Sequence, residues 1–263
     1  MNICILGAGK MGSWLVKVLS ADHTISVFDS DATKVQTLAG VQVFKDIEQI
    51  RNSSPQMLLN CVSLQNTVES FRAVVPLLPN DCLLCDIASV KGTLPAFYRE
   101  AGFRFVSVHP MFGPTFADLT DLRKENAVII SDSDGEGKDF FRQLFGQFGV
   151  NVFEYSFAEH DVMMAYSLTL PFVSSMVFAS CVGTEAVPGT TFKHHLEVAR
   201  GLLAEDDFLL AEIIFNQHSL AQLEKISGRL NFLWHIIRNR DTGEARKFFD
   251  GLRKNVKKRD RRP

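Results

Sequence analysis

Asn2-Ile3-Cys4-Ile5-Leu6-Gly7-Ala8-Gly9-Lys10-Met11-Gly12 decides how this chain is read. A short apolar strand runs directly into glycines spaced Gly-x-Gly-x-x-Gly, and Trp14, Leu15, Val18 and Leu19 continue at helical spacing. Strand, glycine turn and helix in succession form the context in which that spacing holds a dinucleotide. Gly7 permits the turn, Gly9 lets the backbone approach a pyrophosphate, and Gly12 lets the helix pack close to the strand. The amide protons at the start of the helix, around Lys10 and Met11, are expected to hold the phosphates. A second strand over 24–28 ends in Asp29, about twenty residues beyond the glycines, where a carboxylate accepts hydrogen bonds from an adenosine ribose. The same carboxylate would repel a 2′-phosphate, so the pattern points to NAD rather than NADP.

Working outward, apolar strand patterns at 41–44, 57–62, 82–86, 103–108, 126–131 and 150–153 alternate with helical ones at 32–38, 46–51 and 137–148. This alternation predicts a Rossmann-like doubly wound α/β sheet. Ligands bind at the carboxyl ends of the strands in such sheets. Three strand ends deliver polar residues there: Ser63, whose backbone is expected over the cofactor, then Ser89 with Lys91, then His109. Pro110 biases His109 toward extended backbone, so its imidazole is expected to project beyond the sheet. A serine near an imidazole is either a nucleophile with its base or a positioning partner. No Gly-x-Ser-x-Gly elbow surrounds Ser89, which favours positioning.

From residue 157 the strand signals stop, and helical patterns follow at 158–181, 192–203, 207–226 and 230–238. The division is expected near 155, with a nucleotide-binding domain at 1–155 and an all-α substrate and dimerisation domain at 156–263. Phe172, Val173, Met176, Val177 and Phe178 make one helix apolar nearly all round. About a hundred residues make a small bundle, so part of that helix's cover is expected from a second copy, giving a homodimer.

Composition excludes several classes. The 263 residues are 46% hydrophobic and 22% charged, a globular balance, and a net charge of −2 gives no global basic field for nucleic acid. The tail with Arg253, Lys254, Lys257, Lys258, Arg259, Arg261 and Arg262 reads as a solvated or frayed end. No apolar run reads as long enough to cross a membrane and no signal peptide is evident, so a cytoplasmic protein is expected. Cys4, Cys61, Cys82, Cys85 and Cys181 are an odd number and read as reduced thiols. Cys82 and Cys85 lie on opposite faces of one strand, which argues against a metal pair. His194 and His195 fall on different helix faces, and no metal constellation is found.

Asp86-Ile87-Ala88-Ser89-Val90-Lys91, then His109-Pro110-Met111-Phe112-Gly113-Pro114, then Glu159-His160-Asp161 with Met164 and Leu170-Pro171 follow the glycine turn in that order. This series resembles the prephenate dehydrogenase family over nearly the whole chain. Leu202 to Asp206 and Leu209 to Ile214 also resemble the helical half of its enteric-type members. The resemblance implies NAD-dependent oxidative decarboxylation of prephenate to 4-hydroxyphenylpyruvate, or of its amino counterpart arogenate, in tyrosine biosynthesis. It assigns His109 as the base toward the ring 4-hydroxyl and Ser89 as the group that holds the hydroxyl or the ring, with Lys91 near the substrate.

Two positions depart from that pattern. Phe172 stands where the family commonly has a histidine after Leu-Pro, and Gly201 stands where an arginine usually grips the side-chain carboxylate. Arg200 is one place earlier, and one residue turns a helical side chain by about a hundred degrees. Arg200, Lys193, His194 or a residue of a second copy is then expected to supply the cation, or the substrate differs, for example an amino-substituted prephenate. A β-hydroxyacid dehydrogenase would need a lysine and an asparagine one helical turn apart within 165–180, where neither occurs. A binding protein that has lost turnover would not need Ser89, Lys91 and His109 together. His160 and Asp161 open a helix, where capping and joining the two halves is as good a reading as ligand contact.

Overall fold

The structure, a computed structural model, describes residues 1–113, 117–183 and 187–259, with side chains through 257. Pro114 of the His-Pro motif, Arg261 and Arg262, and the side chains of Lys258 and Arg259 lie outside the described residues.

Eight strands form one sheet in the order β3-β2-β1-β4-β5-β6-β7-β8. They are β1 (Asn2–Leu6), β2 (Thr24–Phe28), β3 (Gln42–Val43), β4 (Met57–Asn60), β5 (Leu83–Asp86), β6 (Phe105–Pro110), β7 (Asn126–Ile130) and β8 (Asn151–Tyr155). The first six run parallel, and the order reverses between β1 and β4, the crevice in which doubly wound sheets take their ligands. β7 then pairs antiparallel with β6, setting Val128 opposite His109, and β8 runs parallel to β7.

The central strands read as unbroken apolar runs because helices cover both faces. One face packs Ile3, Ile5, Leu59, Leu83 and Cys85 under α1 (Lys10–Leu19) and α6 (Gly135–Gln147), the latter through Phe141, Leu144 and Phe145. The other packs Cys4, Leu6, Leu58, Cys82 and Leu84 under α4 (Thr67–Val74) and α5 (Leu94–Ala101), with the short α3 (Ile50–Ser53) at its margin, while the short α2 (Ala32–Val35) adds Val35 to the first face. Cys82 and Cys85 thus lie on opposite faces. Burial raises the Cys82 thiol to about 12, which makes it inert packing.

Beyond Tyr155 the described residues are helical: α7 (Phe157–Met164), a π turn (Ala165–Thr169), α8 (Leu170–Ser180), α9 (Thr190–Leu203), α10 (Asp207–Ile214), α11 (Ser219–Asn239) and α12 (Thr242–Arg259). Four sequence expectations change here. The helix expected over 158–181 carries a π turn, just where Pro171 has no amide proton to give the preceding turn.

The helix expected over 207–226 stops at Ile214. There the Asn216 side chain accepts from the His218 amide at 2.9 Å and donates to the Asp161 carbonyl at 3.1 Å, replacing helical hydrogen bonds. α11 then runs unbroken through Gly228, whose helix penalty of about 1 kcal/mol is too small to end it. The basic tail is not frayed over the described residues. It forms α12, whose first turn is capped by the Asp241 carboxylate accepting from the Glu244 amide at 2.9 Å.

The expectation that no apolar run is long enough to cross a membrane is also corrected. The helical run Phe157–Ser180 is 24 residues long and holds an 18-residue window of mean hydropathy 1.6, enough by length and composition. Its first turn is packed on β6 through His160.

Candidate active site

The glycine turn is built as its sequence requires. Gly7 sits at φ +90°, and a Cβ on it would lie 2.9 Å from the backbone of Cys61 and Val62. A Cβ on Gly12 would lie 2.0 Å from the Gly7 carbonyl oxygen, so only glycine brings α1 this close to β1. A Cβ on Gly9 would meet nothing within 4 Å, which leaves that side of the turn open. No side chain caps the start of α1, so the amides that follow Gly9 are not satisfied by a cap.

Asp29, at the end of β2, accepts from the Ala8 amide at 2.7 Å and the Asp31 amide at 2.8 Å, which fixes its carboxylate beside the turn. Lys10 is exposed and Met11 half-buried on the first turn of α1. Ser63 follows β4 and is exposed, its hydroxyl accepting from Asn66 Nδ2 at 3.1 Å. An open glycine, an uncapped helix start and a fixed carboxylate fit a dinucleotide's pyrophosphate and ribose.

His109 is the last residue but one of β6 and is 5% exposed. Its Nδ1 lies 3.1 Å from Nε2 of His160, a fully buried residue of α7. Helix α7 starts at Ser156, whose hydroxyl accepts from the Glu159 amide while the Glu159 carboxylate accepts from the Ser156 amide. This reciprocal cap fixes the first turn. The other ring nitrogen of His160, Nδ1, lies 3.5 Å from Asp161 Oδ1. Burial first, then His160 and the Lys91 ammonium, hold the His109 imidazole well below the ordinary histidine range. Burial also lowers His160, against the pull of the Asp161 carboxylate. Both rings are therefore neutral at physiological pH.

Beneath them lies a buried ion pair. Lys91 Nζ is 2.8 Å from Asp86 Oδ1 and donates to the Val108 carbonyl at 2.7 Å. Asp86 also accepts from the Tyr98 hydroxyl at 2.7 Å and the Ala88 amide at 3.0 Å. The Lys91 ammonium, expected near the substrate, is turned into the fold in this chain, where it fixes the carbonyl just before His109. Ser89 is on the same loop, half-buried, and among the described residues its hydroxyl makes no hydrogen bond. The partner of the His109 ring is thus His160 and not Ser89.

His160 is the residue that sequence reasoning undervalued. The signal was present in Ser156-x-x-Glu159, which starts a helix and so places the next residue one turn in, facing the sheet.

Lys193 and Arg200 are both exposed on α9, which packs on α8 through Phe178 and Phe192 at 5.1 Å between ring centroids. Neither forms an ion pair among the described residues, and neither touches His109. Within one chain, then, the two cations predicted for substrate are not brought to the histidine. Phe172 and Gly201 are half-buried on α8 and α9. Where the helical half does reach the strand ends, α10 closes a cavity of about 200 Å³ lined by Leu64, Gln65, Val90, Lys91, Phe208 and Glu212.

Comparison with known proteins fits this arrangement. Residues 16–149 match the family described as prephenate dehydrogenase, nucleotide-binding domain. The match begins inside α1, so the glycine turn stands on its own geometry. The chain is 27% identical to the T-protein of Enterobacter agglomerans over 85% of its own length and 58% of that protein. It is 25% identical to arogenate dehydrogenase 1, chloroplastic, of Arabidopsis thaliana, over 97% of its length and 42% of that protein. The chain therefore spans about half the length of these curated relatives.

Among solved structures, prephenate dehydrogenase from Aquifex aeolicus in complex with hydroxyphenyl propionate and NAD+ aligns over 98% of both chains, with a TM-score of 0.83 at 18% identity. Synechocystis arogenate dehydrogenase aligns over 98% of this chain and 99% of its own, with a TM-score of 0.77 at 18% identity. These likenesses agree in fold with the eight-stranded sheet and its helical extension, and the match over half the chain settles the lineage: the chain belongs to the prephenate dehydrogenase family.

Proposed function

We propose that this protein is an NAD-dependent dehydrogenase that oxidatively decarboxylates prephenate to 4-hydroxyphenylpyruvate in tyrosine biosynthesis. The observation that carries the reading is His109, a histidine held neutral by burial at the carboxyl edge of the sheet. A neutral imidazole accepts a proton at physiological pH, and histidine is the usual group for that task.

In this reading residues 1–155 bind the cofactor and 156–263 complete the substrate site. Gly7, Gly9 and Gly12 shape the pyrophosphate cradle, the amides around Lys10 and Met11 donate to it, and Asp29 takes the adenosine ribose. Ser63 lies along the cofactor. NAD, when bound, takes up the hydride from C4 of the substrate ring. His109 receives the 4-hydroxyl proton as C4 becomes a carbonyl, Ser89 donates to or orients that oxygen, and the ring carboxylate then leaves as CO2 while its bonding electrons aromatise the ring and the 4-oxygen takes the proton back from His109.

Lys193 and Arg200 become substrate ligands if a second copy folds α9 against the site. The exposed apolar residues of α8, α9 and α11 support a homodimer through the helical half. A cytoplasmic enzyme without membrane or nucleic acid partners follows, the apolar run Phe157–Ser180 then being a core helix of the dimer.

A second reading has its own observation. Phe172 and Gly201 remove a histidine and an arginine from the side-chain end of the substrate, the end at which arogenate carries an amine and prephenate a keto group. Arogenate or another amino-substituted cyclohexadienol is then the substrate. NADH formation by purified protein with prephenate and with arogenate, each with NAD and with NADP, tests both readings. Turnover with NAD and prephenate is expected. Turnover with arogenate alone selects the second reading, and none with either substrate in protein that binds NADH overturns both. The mass of the same preparation at micromolar concentration should be that of a dimer, and a monomer there refutes the assembly.

A further inference from the structure

We propose that Asp161 and His160 set the tautomer of His109, forming an orienting relay that leaves Nε2 of His109 without a proton and so able to take one from substrate. The inference rests on His109 being the base, as proposed above, and adds two positioning residues to it.

The geometry leaves one choice open and then closes it. His109 Nδ1 and His160 Nε2 are 3.1 Å apart, a hydrogen-bond distance between two ring nitrogens. A neutral imidazole carries one proton on one of its two nitrogens, so only one proton sits between the rings. If His109 donates it, His160 carries its own proton on Nδ1, and Nε2 of His109 presents a lone pair. If His160 donates it, His109 is protonated on Nε2 and has nothing with which to accept.

The Asp161 carboxylate, 3.5 Å from His160 Nδ1, decides between these. It attracts a proton on Nδ1 and repels a lone pair there, which selects the first arrangement. At that distance the contact is long for a hydrogen bond, and its effect is that of a charge beside a buried ring. Among the described residues no hydrogen bond is formed to His109 Nε2. The charged groups facing the pair are Lys91 from the loop after β5, Asp86 from β5 and Asp161 from α7. Lys91 opposes a second proton on either ring before substrate arrives. When the substrate proton reaches Nε2, the Nδ1 proton is held by His160, and Asp161 stabilises the positive charge that the two rings share.

Asp161→Asn separates this from a merely structural role. An amide at that position donates to His160 Nδ1 and so favours the opposite tautomer, whereas alanine only removes the bias. Nitrogen NMR of histidine-labelled protein reads the tautomers without need of turnover. The wild type is expected to carry the His109 proton on Nδ1, and Asp161→Asn to move it to Nε2. Turnover should fall about a hundredfold in Asp161→Asn and less in Asp161→Ala, with NADH affinity unchanged in both. A quarter-exposed aspartate is a mild site for substitution.

As a second arm, His160→Gln supplies an oxygen that can accept from His109 Nδ1 and should keep turnover within about tenfold, while His160→Leu should not. A wild-type His109 protonated on Nε2, or equal losses in Asp161→Asn and Asp161→Ala with the tautomer unmoved, overturns the relay. Inactivity of the wild type on every cyclohexadienol, with the NMR tautomers as expected, overturns the functional reading and leaves the relay standing.

Discussion

The sheet and the helices treat their apolar residues differently. Ile3, Leu58 and Leu84 in the central strands have no exposure, while α11 presents Leu220, Trp234 and Ile237 at 65, 52 and 73%. A sheet sandwiched between helix layers is a finished core. A helix layer with aromatic and branched residues in solvent lacks a partner, since exposed apolar patches of this kind mark interaction surfaces. Specific site geometry is also concentrated in the finished half: His109, Lys91 and Asp86 are locked by hydrogen bonds, whereas Lys193 and Arg200 are exposed and form no ion pair among the described residues. The catalytic end of the proposed site is thus complete in one copy. In the proposed homodimer, the end that grips the substrate's side chain would be completed by the second copy.

The sharpest way to break this comparison is to open the finished half from within. Lys91→Met would leave the Asp86 carboxylate buried against Tyr98 and the Ala88 amide with no countercharge. Breaking a buried pair from one side costs about 3–5 kcal/mol. A denaturant midpoint should fall accordingly, and Asp86→Asn with Lys91→Met together should recover much of the loss. The single variant should also lose turnover, because Val108 is no longer held before His109. A small effect would show that the pair is not what rigidifies the strand edge.

Where the sequence could be read and where it could not follows the same division. The glycine turn, Asp29 and the eight strands were legible because each depends on local chemistry: backbone freedom at Gly7, alternation of strands with helices, a charge at a strand end. His109 was legible because proline follows it. The pairing of Lys91 was not legible, since a lysine beside a site looks like a ligand and the buried Asp86 across the turn leaves no mark in residue spacing.

His160 was undervalued for the opposite reason. It lies 51 residues beyond its partner, and no periodicity links a strand end to the first turn of a distant helix. The end of α10 was missed because the side chain that stops it, Asn216, bonds to Asp161 in another helix. Residue spacing within a segment carries local pairing, and these contacts are tertiary.

A smaller effect tests the histidine pair that joins the halves. Both rings are lowered from the ordinary value of 6.5, chiefly by burial. The unfolded chain therefore binds protons below about pH 6.5 that the folded one refuses, so stability is full above that pH and declines as pH falls. Each ring contributes a slope of at most about 1.4 kcal/mol per pH unit. Denaturation between pH 7.5 and 5.5 should show that decline, and His160→Gln should reduce its slope. A stability independent of pH over this range would mean that the rings are wetter than the structure has them.

The smallest expected effect lies at the seam itself, where Ser156 caps α7 one turn before His160. Removing a side-chain cap from a helix costs about 1 kcal/mol. Ser156→Ala should lower the denaturant midpoint by that amount, yet it leaves every sheet residue and both histidines in place. If the cap serves only stability, turnover per folded molecule stays unchanged. If it also fixes the angle at which α7 carries His160 against His109, turnover falls by a fewfold with NADH affinity intact. Of the two the second is expected. The Glu159 carboxylate accepts from both the amide and the hydroxyl of Ser156 at 2.8 Å, and alanine removes one of those two holds on the turn that delivers the histidine.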